Sequence, residues 1–274
     1  MTRLTIGELL RVALRAPAAL IWTLAVHWLA RLRQLVLRGE WRDRNYQDLI
    51  GVWGRGLAWI MGVRVVRRNE RSGPMGDLII ANHMGFLDVP VLLCTYPSVF
   101  IMTMQFRRFF YFGKALSRQG HVFVERRSAE SRRQARDGVR RVLERGERII
   151  VFPEGGSSPG AERRPFKPFC FHEVARQGKR LEACVIDYLP DRSMLRWDSS
   201  KALLPQVMKL LGRRRTEVSV EFLPSEVITD PDEAVQRYHD LMEGRLRAYD
   251  AERLHVAQAT TPVTPTLASA PLRS

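Results

Sequence analysis

The sequence predicts an α/β fold, a mostly parallel central sheet covered by helices, preceded by an N-terminal apolar two-helix membrane-docking element. Three observations predict it. Between residues 63 and 250, short apolar runs alternate with helical periods, the pattern of a parallel sheet whose crossovers are helices. Five of the six tryptophans (Trp22, Trp28, Trp41, Trp53 and Trp59) fall within the first 59 residues, among Leu, Ile, Val and Ala. The 274 residues carry Lys+Arg 44 against Asp+Glu 29, a formal net charge of +15. Such a chain is drawn to polyanions, whether nucleic acid, anionic lipid headgroups or an acidic protein. The expected boundaries are 1–62 for the membrane-associated helices, 63–250 for the α/β domain and 251–274 for a disordered tail.

The N-terminal element is read first. Residues 16–30 (APAALIWTLAVHWLA) carry no charge and lie between Arg11 and Arg15 on one side and Arg31 and Arg33 on the other. Fifteen helical residues span about 22 Å, short of the roughly 30 Å hydrocarbon core. Snorkelling arginines could extend the segment to one span. An interfacial or re-entrant helix, with Trp at headgroup depth and Arg on phosphates, fits at least as well. No small-residue cleavage site follows, and basic helix continues through RLRQLVLR, which disfavours a signal peptide. A second apolar segment, 46–63, follows the polar turn GEWRDRN.

The elements of the α/β domain follow in order. VRVVRR (63–68) and DLIIAN (77–82) read as strands, the second as a buried run. Residues 89–106 are uncharged, and hydropathy alone would make them a membrane span. Pro90 instead suits the first turn of a helix and Pro97 ends it, leaving 98–103 as a strand. HVFV (121–124) is a strand. Ser128 opens a helix with Ala135, Val139, Val142 and Leu143 on one face, stopped at Gly146. Residues 147–152 form a strand running into a Gly/Ser/Pro loop; 169–177 are helical, 181–188 and 216–223 are strands, and 232–250 close the domain as a helix. The small, Pro-rich residues 256–274 are read as disordered.

Composition removes several classes. Cys94, Cys170 and Cys184 form no CxxC pair, which excludes a disulfide framework and a cysteine zinc site and fits a reducing compartment. Nine Arg lie within residues 126–148, yet Glu130, Asp137, Glu144 and Glu147 accompany them, as on a solvated helix face. The chain has no helix-turn-helix, RNP or zinc-finger pattern, so nucleic acid is not an expected partner.

Three segments at strand ends carry chemistry. In Asn82-His83-Met84-Gly85-Phe86-Leu87-Asp88, five residues separate His83 from Asp88. Neither a straight helix nor a strand brings the two together; a chain reversal does, and Gly85 supplies freedom for one. A histidine steadied by a carboxylate is a general base. The local alternative makes Asp88 an N-cap ahead of Pro90 and His83 an ordinary buried donor. In Phe152-Pro153-Glu154-Gly155-Gly156-Ser157-Ser158, paired glycines let the backbone approach a ligand with its amides outward; the alternative is a plain turn. Gly120-His121-Val122-Phe123-Val124-Glu125-Arg126 delivers a guanidinium at a strand end, suited to phosphate or carboxylate, or one more surface arginine.

Together, in this order, the segments resemble the glycerolipid acyltransferase family typified by 1-acylglycerol-3-phosphate acyltransferases. NHMGFLD is similar to its NHxxxxD block, GHVFVER to GxxFxxR and FPEGGSS to FPEG. The resemblance spans residues 63–225, includes PFKPFCFHEVA, and extends to the two apolar N-terminal segments, which are similar to the family's membrane-docking helices.

The resemblance implies roles. His83 would deprotonate an acceptor hydroxyl that attacks the thioester of an acyl-carrier protein or acyl-CoA, and Asp88 would orient the imidazole. Arg126 would hold an anionic headgroup. Glu154, Gly155, Gly156, Ser157 and Lys167 would bind and position the acceptor, with nearby amides on the oxyanion. No metal, cofactor or acyl-enzyme is implied; the thioester is a co-substrate. The implied place is the cytoplasmic face of the cell membrane, where membrane lipid, lysolipid and soluble donor meet. The implied acceptor is 1-acylglycerol 3-phosphate.

The sequence also departs from the family pattern. Gly156 and Ser157 stand where phosphate-specific members carry Thr and Arg, with Arg163, Arg164 and Lys167 the cations near enough in sequence to replace the lost one. Cys184 stands near the family's usual Pro. These departures, with LRWDSSKALLPQVMKLLG, resemble lyso-ornithine lipid acyltransferases. A non-catalytic basic membrane protein and a thioesterase using the same dyad are the readings from other classes.

Overall fold

Strict alternation along one buried strand divides the interior in two. In β2 (Leu78–Ala81), Leu78 and Ile80 face one layer of helices, while Ile79 and Ala81 face the other, and all are fully buried. The computed structural model describes residues 4–36, 40–107, 116–117, 119–157, 163–189 and 203–260.

The strands are β1 (Val63–Arg67), β2, β3 (Val99–Thr103), β4 (Val122–Val124), β5 (Ile149–Val151), β6 (Arg180–Leu189), β7 (Thr216–Phe222) and β8 (Glu226–Val227). They form one sheet in the order β1-β7-β6-β2-β5-β3-β4, with β8 pairing beside β6. Pairing is parallel except where β6 meets β7 and β8, so the expected mostly parallel sheet is present. The helices are α1 (Ile6–Val36), α2 (Glu40–Ile60), α3 (Asp88–Thr95), α4 (Met104–Arg107), α5 (Ala129–Glu144), α6 (Phe169–Arg176), α7 (Leu203–Gly212) and α8 (Pro231–Thr260). Helices α5, α6 and α8 cover one face of the sheet, and α2, α3 and α7 cover the other.

This arrangement sends the chain to opposite faces at the carboxyl ends of β2 and β5. The chain leaving β2 enters α3 on one face, and the chain leaving β5, its neighbour, reaches α6 on the other. Loops that part in this way at the carboxyl ends of adjacent parallel strands leave room for a ligand between them.

The apolar run 89–106 divides as its prolines predict, into α3 and β3. Ser128 caps α5, its hydroxyl accepting the Ser131 N–H at 3.1 Å. Two boundaries differ from expectation. Helix α2 already begins at Glu40, shortening the turn placed around GEWRDRN. Residues 251–260, expected to open the disordered tail, continue α8 to Thr260; there Arg253 reaches the buried carboxylate of Asp187 at 2.6 Å, a tertiary anchor that composition does not reveal. The rest of the expected tail, 261–274, lies outside the described residues.

The two N-terminal segments are both helical and pack together, but they differ in kind. Among the described residues, Ile6–Arg33 alone forms a helix long and apolar enough to cross a membrane. Helix α2 instead turns Leu49, Ile50, Leu57 and Ala58 inward. The tryptophans divide accordingly: Trp22 donates to the Trp53 carbonyl at 3.1 Å and Trp53 to the Thr23 hydroxyl at 3.1 Å, joining the helices. Trp28 and Trp59 point outward. Close approach needs glycine, since a Cβ on Gly54 would lie 2.6 Å from the Cβ of Leu93.

Helix α1 is held along its length. Arg11 and Arg15 donate to the carbonyls of Leu211, Gly212, Arg213 and Arg214 at the end of α7, groups that a helix terminus leaves unpaired. Further along, Trp22, Val26 and Ala30 pack against α2. The opposite stripe, Leu10, Leu14, Ile21, Trp28, Leu32 and Leu35, is exposed.

His121 of the third motif is a core residue. Its Nδ1 accepts the Phe100 N–H at 3.0 Å, and burial pushes its pKa from 6.5 down to about 4. The folded chain therefore holds the neutral ring, whereas the unfolded chain protonates first as pH falls. The stability this provides is complete above pH 6.5 and declines as pH falls toward about 4. Denaturant unfolding across that window should show a shallower acid slope for His121→Gln than for wild type; identical slopes would contradict the assignment.

Candidate active site

Three strands deliver the site residues to one edge of the sheet. His83 and Asp88 follow β2, the segment 152–157 follows its neighbour β5, and Arg126 follows β4. The segment after β2 leaves the ladder through Asn82. Its side-chain amide donates to the Ile186 carbonyl at 2.9 Å and its oxygen accepts the Ile186 N–H at 2.7 Å. This pair continues the β2–β6 contact one residue beyond the strand and fixes where the turn begins.

The chain then reverses, and the reversal brings His83 and Asp88 together. Asp88 Oδ2 lies 2.7 Å from His83 Nδ1 and accepts the backbone N–H groups of Met84 at 2.7 Å and Gly85 at 2.9 Å. The Asp88 carboxylate thus faces back into the turn rather than capping α3, and it is fully buried. The reversal expected at Gly85 is present without a positive φ there, its amide and that of Met84 pointing at the Asp88 carboxylate; the positive φ at this site is at Gly155.

The imidazole is fixed on a second side. It stacks on Phe152, with ring centroids 4.1 Å apart and an interplanar angle of 17°. Bonding of Nδ1 to a carboxylate places the proton on Nδ1 and leaves Nε2 with its lone pair. Among the described residues Nε2 has no hydrogen-bond partner, and the side chain is a quarter exposed. An imidazole held in this way can accept a proton at Nε2.

Glu154 has a different environment from an open substrate ligand. Its side chain is fully buried and pairs with that of Arg163, also fully buried, at 3.0 Å. It also accepts the His83 N–H at 3.4 Å and the Arg164 N–H at 3.4 Å. Glu154 therefore ties the β2 loop to the segment 163–164, and the space it was expected to offer an acceptor is closed.

Above it the paired glycines make room for cations. Gly155 has φ +66°, and a Cβ there would lie 2.7 Å from Lys167 Nζ; a Cβ on Gly156 would lie 2.7 Å from Arg164 Nη1 and 3.9 Å from Arg126 Nη1. Partial burial, followed by the charge of Arg164, holds the Arg126 guanidinium below its ordinary pKa. Neither arginine forms an ion pair among the described residues. Two like charges brought this close favour an anion between them. Ser157 follows on the same loop; Ser158 lies outside the described residues.

The structure thus gathers His83, Asp88, Arg126, Glu154, Gly155, Gly156, Ser157 and Lys167 at one sheet edge. Sequence reasoning did not single out Asn82, whose amide is part of the first motif, or Tyr188, whose hydroxyl donates to Asp88 Oδ1. Tyr188 stands 100 residues from its partner and carries no local signal. Of the cations named as replacements for the missing arginine, Arg164 and Lys167 lie against the glycine turn, whereas Arg163 is taken up by Glu154.

The chain is similar to known proteins in sequence and in fold. Residues 62–186 match the family model described as Acyltransferase. The chain is 26% identical over 247 residues to a 1-acyl-sn-glycerol-3-phosphate acyltransferase of Neisseria meningitidis, covering 83% of this chain and 96% of that protein. It is 28% identical over 235 residues to a lyso-ornithine lipid O-acyltransferase of Brucella abortus, covering 78% of this chain and 84% of that one. The crystal structure of the 1-acyl-sn-glycerophosphate acyltransferase PlsC of Thermotoga maritima superposes with a TM-score of 0.68 at 17% identity, covering 90% of this chain and 97% of that one. The fold is shared.

Removing Arg163 leaves the Glu154 charge buried without its partner. Arg163→Ala should destabilise the protein by about 3–5 kcal/mol in denaturant unfolding. A loss below about 1 kcal/mol would mean that the pair does not hold the loop.

Proposed function

We propose that this chain, whose residues 62–186 match the Acyltransferase family model, moves a fatty acyl group from a thioester to the hydroxyl of a lysolipid, and that this lysolipid is 1-acylglycerol 3-phosphate. The observation that carries the reading is the His83–Asp88 dyad at the carboxyl end of β2, its imidazole a quarter exposed, with the guanidinium groups of Arg126 and Arg164 at Gly156 of the neighbouring loop.

Nε2 of His83 accepts the hydroxyl proton as the acceptor oxygen attacks the thioester carbonyl. Asp88 stabilises the imidazolium, and the Gly156 amide is the nearby donor for the oxyanion, the Gly155 N–H being donated to the Phe152 carbonyl at 3.0 Å. The tetrahedral adduct collapses by breaking the carbon–sulfur bond, and the imidazolium returns its proton to the departing thiolate. Acyl-carrier protein or acyl-CoA is the donor, and its acidic surface suits a chain of net charge +15. Glu154 acts by holding the loop.

The acceptor assignment rests on Arg126 and Arg164. The family's usual arginine after FPEG is absent, but the side chain of Arg164 enters the space above Gly156 and restores a second cation to Arg126. A phosphate monoester supplies the two negative charges that such a pair accommodates. The missing Thr-Arg and the similarity to lyso-ornithine lipid acyltransferases favour a second reading, in which the acceptor is a lyso-ornithine lipid.

The protein works at the cytoplasmic face of the cell membrane. Helix α1 is pinned to α7 near one end and to α2 along its middle. Its exposed leucines and Trp28 form a stripe on the opposite side. A helix held this way lies along the bilayer surface, its apolar stripe among acyl chains.

Purified protein given a labelled acyl thioester and a panel of lysolipids should acylate the phosphate-bearing acceptor first. Exclusive acylation of lyso-ornithine lipid would select the second reading, and release of free fatty acid alone would reject acyl transfer. His83→Ala should lower kcat by about 10²–10⁴-fold while membrane binding persists. Arg126→Ala should raise KM for the phosphate-bearing acceptor by about tenfold or more, with little change for an uncharged lysolipid.

A further inference from the structure

We propose that Tyr188 is a positioning residue of the active site: its phenol fixes the Asp88 carboxylate that mounts His83. The inference rests on the general-base reading of the dyad and adds a partner from the adjacent strand, β6.

Asp88 Oδ2 is occupied by His83 Nδ1 and by the Met84 and Gly85 amides. That leaves Oδ1, in a residue with no solvent exposure, and Tyr188 donates to it. Turn contacts hold one oxygen but leave the carboxylate plane free to swing about it. A donor on the other oxygen removes that freedom, and with it the freedom of the imidazole.

Tyr188 is itself held in depth. It lies in β6, paired with Val218 of β7, and is 1% exposed. Its neighbour Asp187 points to the opposite face of the sheet and pairs with Arg253 of α8. The Asn82–Ile186 pair fixes the register of the same segment against the start of the catalytic turn. Burial, followed by the Asp88 charge, holds the phenol far above its ordinary pKa, so it stays a donor. An unpaired oxygen of a buried carboxylate carries a desolvation penalty, and no solvent reaches Asp88 to take the place of Tyr188.

The test is a double-mutant cycle on the full chain, with acyl transfer read as kcat and KM separately. Tyr188→Phe keeps the ring and removes the hydroxyl. It should lower kcat by roughly 10- to 100-fold with KM for acceptor and donor within about twofold. In an Asp88→Asn background the same change should add little, because the partner it acts through is gone. Wild-type kcat in Tyr188→Phe, or a full and additive loss in the Asp88→Asn background, overturns the proposal. If Asp88→Asn alone retains wild-type kcat, the general-base reading fails instead. Should Tyr188→Phe not fold, a fluorotyrosine placed at 188 keeps the shape and sharpens the hydroxyl's acidity. It should change kcat and leave KM, and an unchanged kcat overturns the proposal by that route.

Discussion

The site is organised around one buried negative charge. Asp88 has no solvent contact, and its carboxylate is satisfied by the His83 ring, the Met84 and Gly85 amides and the Tyr188 hydroxyl. A carboxylate taken out of water carries a penalty of several kcal/mol unless donors surround it, so the chain around it has little choice of path. The turn after β2 closes because its amides point at this charge. The first turn of α3 begins where the charge must sit. The end of β6 is required because one donor comes from it. His83 is thus held by the same contacts that satisfy a group the fold could not otherwise bury.

That explains how much of the site could be read in advance. The pairing of His83 with Asp88 follows from chemistry and spacing, since two such groups five residues apart meet across a reversal. Gly85 as its agent does not follow, because hydrogen bonds to Asp88 close the turn without a left-handed residue there. Glu154 illustrates a different limit. A carboxylate in a glycine loop resembles a substrate ligand in sequence, yet its environment is set by Arg163, nine residues away and equally buried. Tyr188 lies beyond any local pattern, because its relation to Asp88 exists only once β6 lies beside β2.

The fold was legible for similar reasons. Short buried strands carry their signal in continuous apolar runs, and Pro90 and Pro97 correctly divided a stretch whose hydropathy suggested a membrane span. The N-terminal element needed tertiary information. Both helices are apolar in sequence, but among the described residues only α1 keeps a long exposed stripe, because α2 lies between α1 and α3 and contributes to the core. Likewise α8 continues through 251–260, where its arginine finds a buried aspartate. The result places a basic body, an apolar ridge and a strand-end His83–Asp88 pair on one chain, a combination suited to a reaction between a lipid and a soluble thioester.

The most direct test of the account is the tautomer of His83, read from a long-range proton–nitrogen correlation spectrum of ring-labelled protein with the imidazole neutral. Mounting by Asp88 requires the proton on Nδ1 and a lone pair on Nε2, so the Nδ1–H form should dominate. In His83 spectra of an Asp88→Asn variant that preference should be lost. A dominant Nε2–H form in the unaltered protein would contradict the account, since that ring would have no lone pair to offer an incoming hydroxyl.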